Sequence, residues 1–91
     1  MKKLPNLLAS TKQNTPLGEY FAVLEAFNLK IFEKLTFSTL DVINLNQVPF
    51  YLDTTEDGIN VIAFEQGHGV YQVEDAGEFG QWCEALKAFK K

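Results

Sequence analysis

The chain has 91 residues, 46% apolar and 13% aromatic, a composition that folds and a length that holds one modest core. Its net charge of −4 comes from 12 acids and 8 bases, and every base is a lysine. The absence of arginine removes the usual bidentate reader of phosphate and guanine, which argues against direct nucleic-acid recognition. The single cysteine, Cys83, excludes an internal disulfide framework and a cysteine-rich metal centre.

Met1-Lys2-Lys3 imitates the basic start of a signal peptide, but the apolar stretch Leu4 to Ala9 is broken by Pro5 and Asn6 and is too short to act as one. No window approaches the roughly 18 apolar residues of a membrane span. The expectation is a cytoplasmic protein, a compartment that suits a free thiol. Residues 1–14 read as a polar tail, and residues 15–91 as a single domain. Thr15-Pro16 opens a helix, with threonine as cap and proline at the first helical position. Leu17, Tyr20, Phe21, Leu24, Phe27, Ile31 and Leu35 recur at three- and four-residue spacing and carry that helix to about Lys34. The competing reading ends it at Asn28 and makes Leu29 to Phe37 an edge strand.

Ser38 or Thr39 caps a short helical turn through Ile43, and Asn44 and Asn46 suit a loop. From Pro49 onward the pattern is that of a meander. Phe50 to Thr54 is a strand, Glu56-Asp57-Gly58 a turn, Ile59 to Glu65 a second strand, Gln66-Gly67-His68-Gly69 a second turn, and Val70 to Glu74 a third strand. Asp75 and Glu78 form a capping arrangement for a last helix with Phe79, Trp82, Cys83, Leu86 and Phe89 on one face. With even-length hairpin loops, Tyr51, Ile62, Phe64, Tyr71 and Val73 share one sheet face, and Phe50, Leu52, Ile59, Val61, Ala63 and Val70 the other. The Ile62/Phe64 face is the candidate core, and an uncovered remainder on the other face suits a homodimer. The fold expected is a two-layer α+β domain: a three-stranded antiparallel meander, or four-stranded with an edge strand, between an N-terminal and a C-terminal helix.

The chemistry-bearing residues are few. His68, between two glycines at a turn tip, reads as an exposed turn residue, because no acid stands at a diagnostic spacing from it. Cys83 reads as packing on a helix stripe. A Cys83–His68 pair is the one nucleophile–base couple the sequence offers, and nothing local supports it. The glycines lack phosphate-loop spacing, so neither a cofactor nor a metal is expected.

The charge layout stands out. Between Lys34 and Lys87 there is no base, and nine acids fall in that stretch. Asp53, Glu56, Asp57, Glu65, Glu74 and Asp75 lie at the ends and turns of one meander, where their summed field would attract a basic partner. The plainer reading is that a small domain solvates its turns with acids. The function expected is a small non-enzymatic protein-binding module that covers a basic, nucleic-acid-binding type of surface, by analogy with inhibitors encoded by phages and mobile elements. The alternatives are a small-molecule-binding or minor enzymatic domain and a homo-oligomeric accessory protein.

Overall fold

Across residues 19–33 burial recurs at every second residue. Tyr20, Ala22, Leu29 and Ile31 are at most 4% exposed, while Phe21, Val23, Lys30 and Phe32 between them are half-buried. That is strand periodicity, and it overturns the expected N-terminal helix. The spacing of Tyr20, Phe21, Leu24 and Phe27 imitated a helix because both faces of this hairpin carry large apolar side chains. Its turn is Ala26-Phe27, with Ala26 at φ 53°, so no glycine or asparagine marks the reversal.

The computed structural model describes residues 2–9 and 19–90. Its elements are β1 (Lys2–Ala9), β2 (Glu19–Glu25), β3 (Asn28–Glu33), β4 (Thr39–Asn44), β5 (Phe50–Thr54), β6 (Asn60–Phe64), β7 (Gly69–Val73), α1 (Ala76–Leu86) and a 3-10 turn (Lys87–Phe89). The expected Thr15-Pro16 helix start, and residues 10–14 of the expected tail, lie outside the described residues. Lys2–Ala9 is not tail but strand. The short helical turn expected after Ser38 is strand β4. Among the described residues the architecture is one seven-stranded antiparallel sheet with a single C-terminal helix, not a three- or four-stranded meander between two helices.

The strand order is β4-β3-β2-β1-β7-β6-β5, which is two meanders joined by pairing of β1 with β7. The outermost strands, β4 and β5, are consecutive in the chain. Six inter-strand gaps of about 4.8 Å would set them about 29 Å apart in a flat sheet. The link from Asn44 to Phe50 reaches at most about 21 Å even when fully extended. It is shorter still here, because the Gln47 and Val48 amides both donate back to the Asn44 carbonyl. The sheet therefore curls, and Leu45 and Val48 of the link are buried as it passes.

The concave face holds the core. Leu4, Leu7, Leu29, Ile31, Ile43, Ile62 and Val73 are all at most 2% exposed, and α1 lays Trp82 and Leu86 over them. A register irregularity in β1 between Leu4 and Leu7 turns Pro5 aside, and the Pro5 carbonyl accepts the Trp82 indole N–H at 2.9 Å. Asp75 caps α1 as expected, accepting from the Glu78 amide at 3.0 Å. Ile62, Phe64, Tyr71 and Val73 do face the core, but their expected neighbour Tyr51 does not. The β5–β6 loop spans Thr55 to Ile59, an odd number of residues, so Phe50 and Leu52 point inward and Tyr51 is 54% exposed.

Candidate functional site

The β5–β6 turn is tied together by its own groups. The Thr55 amide donates to the Ile59 carbonyl at 2.9 Å, the Gly58 amide to the Thr55 carbonyl at 2.9 Å, and the Ile59 amide to Thr55 Oγ1 at 3.1 Å. Gly58 sits at φ 81°, a conformation that favours glycine. This small frame holds Glu56 and Asp57 outward, both exposed. Asp53, one strand end away, is exposed and accepts the Thr54 amide at 2.8 Å. Val73 pairs with Asn60, which brings Glu74 to the same end of the sheet. A shallow groove of about 210 Å³ runs between Gly58, Ile59, Asn60, Gln72, Val73 and Glu74.

Four of the six expected site acids thus gather at one end: Asp53, Glu56, Asp57 and Glu74. Asp75 follows directly, but its carboxylate is engaged as the cap of α1. Glu65 is at the opposite end of β6, where it accepts the Tyr51 hydroxyl, an interaction that raises the Tyr51 pKa above its ordinary value. Among the described residues, the lysine ion pairs are Lys30–Glu25, Lys34–Glu19 and Lys87–Glu84. None involves these six acids. Lys87 also holds the Glu84 carboxyl below its ordinary pKa.

A second cluster was not legible in the sequence. His68 is half-buried, and its Nδ1 lies 2.6 Å from Asp41 Oδ2. The expected exposed, partnerless histidine is thereby corrected: its acid stands 27 residues away, on the far edge strand. Asp41 pairs with Ile31 and so lies on the inner side of β4, and the curl of the sheet carries it to the β6–β7 turn. Its other oxygen accepts the Val42 amide at 2.8 Å. This contact fixes the orientation of the imidazole and leaves Nε2 as its second polar atom. Tyr71 closes the cluster from below. It meets Tyr20 edge to face at 6.2 Å, and its pKa is pushed up to about 12 by burial first, then by the Asp41 charge and Tyr20. Gly69, at φ 94°, lies against the Tyr71 ring.

A carboxylate that orients an imidazole is an arrangement general acid–base chemistry uses. No hydrogen bond or ion pair joins it to Cys83, which is half-buried on α1. Among the described residues no three His, Cys, Asp or Glu side chains converge as a metal site, and no helix is long and apolar enough to cross a membrane. No protein-family model matches the chain, and comparison with curated proteins finds no match.

Proposed function

We propose that this protein is a non-enzymatic binding module that presents the acidic end of its sheet to a basic protein surface, of the kind that otherwise holds nucleic acid. The observation that carries the reading is the pairing pattern. Among the described residues the lysine ion pairs lie at the β2–β3 hairpin and at the C-terminal end of α1, whereas Asp53, Glu56, Asp57 and Glu74 share one end of the sheet and join none of them. Unneutralised acids on a rigid turn give a local field that steers a basic partner and raises its association rate. The cytoplasm, where Cys83 stays reduced, is the compartment we propose.

Partners recovered from host lysate at low salt, then studied by surface plasmon resonance, test this. The variant D53K/E56K/D57K is expected to slow association by roughly tenfold or more, and wild-type binding to weaken from about 0.05 to 0.5 M salt. K2E/K3E is expected to leave binding intact. Equal losses from both variants, or indifference to salt, would refute the reading. The Asp41–His68 pair favours a second reading, a small-molecule site with His68 as proton acceptor. A ligand or turnover lost in H68A but kept in D53K/E56K/D57K would select it.

A further inference from the structure

The convex face of the β1–β4 half is covered by nothing among the described residues, yet it is apolar. Phe21 and Phe32 stack at 4.9 Å, Phe37 packs edge-on to Phe21 at 5.6 Å, and Leu40 and Val42 on edge strand β4 are 44% and 47% exposed. A groove of about 540 Å³ opens here between Lys3, Asn6, Phe21, Val23, Lys34 and Phe37. Beside it the β3–β4 hairpin tip projects Leu35, 89% exposed.

Phe37 is the telling residue. It is 71% exposed and sits at φ 58°, the left-handed region that bulky side chains avoid. Glycine would serve that turn without strain. Within one chain the phenylalanine buries little in return for its unfavourable backbone, and strain of this kind collects where a contact needs it.

We propose that this face is an interface between two copies of the chain, each seating Leu35 of its hairpin tip on the groove that Phe37 walls in the other. Charge selects a second copy over a foreign partner of either sign. Around the patch Lys30 pairs with Glu25 at 3.2 Å and Lys34 with Glu19 at 2.5 Å, and Lys3 at the groove adds one further positive charge, so both signs are present and the excess is small. A two-fold interface places a surface against itself and tolerates no strong net charge. The acids gathered at the sheet end, Asp53, Glu56, Asp57 and Glu74, lie in the other meander, away from this face. Knob and groove stand side by side on one surface, which a self-complementary contact requires.

Sedimentation velocity on the full chain across a wide concentration range, at low and high salt, tests this independently of the acidic-end reading. A monomer–dimer equilibrium is expected that persists or tightens at high salt, as apolar burial does. L35S, at a position that packs on almost nothing in the monomer, is expected to raise the dimer Kd by roughly tenfold or more. F37G is expected to do the same while melting no lower than wild type at concentrations where both are monomeric. A monomer at every concentration, or a dimer that both variants leave intact, overturns the proposal. A dimer that dissolves in high salt overturns it in favour of the acidic end meeting lysines of the second copy.

Discussion

The two meanders are built to the same plan by different means. In the β5–β7 half the backbone reverses mainly at glycines, Gly58 at φ 81°, Gly67 at φ 82° and Gly69 at φ 94°, with Gln66 at φ 62° the one non-glycine among its positive-φ positions. In the β1–β4 half the positive-φ positions are Ala26 and Phe37, residues that lose energy there. The first half therefore holds its hairpins by side-chain packing against the core and against each other, and the second has turns that favour the hairpin before any packing forms. Turn chemistry and packing can substitute for one another, and only the first is written locally in the sequence.

The largest expected effect tests the packing that joins the halves. Trp82 is fully buried and reaches across to Pro5, so Trp82→Ala is expected to cost about 3–5 kcal/mol in chemical denaturation. Trp82→Phe keeps the apolar ring but strands the Pro5 carbonyl, and about 1–3 kcal/mol is expected. Equal losses from the two would deny the hydrogen bond its role. His68→Ala removes a second side-chain bridge between the halves, and a loss of about 2 kcal/mol is expected near neutral pH, checked against Asp41→Asn in a double-mutant cycle.

Turn exchange sharpens the comparison directly. Gly69→Ala puts a Cβ at φ 94° and 3.6 Å from the Tyr71 ring, and a loss of about 1–2 kcal/mol is expected. Ala26→Gly moves the other way, relieving strain against a greater unfolded-state entropy, for a gain of about 0.5 kcal/mol. If both substitutions destabilised equally, the two halves would not differ in where their turns draw stability. A separate effect is confined to high pH. Tyr71 ionises near 10 in the unfolded chain and at about 12 in the folded one, so its contribution is complete below pH 10 and falls away as pH rises toward 12. Phenolate absorbance followed alongside stability checks it, and Tyr71→Phe should flatten that limb.

The same contrast explains what was legible. Gly58, the Gly67/Gly69 pair and the Asp75–Glu78 cap are local signals, and the three strands and the helix they bound were read within a residue or so of where they lie. The face assignment of β5 failed on one loop residue, because side-chain direction reverses with each added position. In the first half, Phe21 and Phe32 supply apolar side chains on the outer face, so alternation was masked and helix spacing appeared by coincidence. Pro5 is unfavourable inside a strand on local rules, and the irregularity that accommodates it in β1 is a tertiary device serving Trp82. Of the candidate site, the acids of the β5–β6 turn were visible as a run without lysine. Asp41 and His68 were not, because only the curl of the sheet makes them neighbours.

The link Leu45–Pro49 has a consequence of its own. It joins the two outer edges, while the seam at the centre, Leu8 with Gln72 and Ala9 with Tyr71, closes between segments far apart in the chain. Each meander is local and can form early, whereas the central seam waits on a long loop closure, so docking of the two halves is the expected slow step. Asn46 and Gln47 are exposed within the link. A chain cut between them leaves both meanders whole, one carrying the Pro5 carbonyl and the other the Trp82 indole. The two fragments, produced together, are expected to rebuild the sheet by complementation, with Trp82 fluorescence reporting their union.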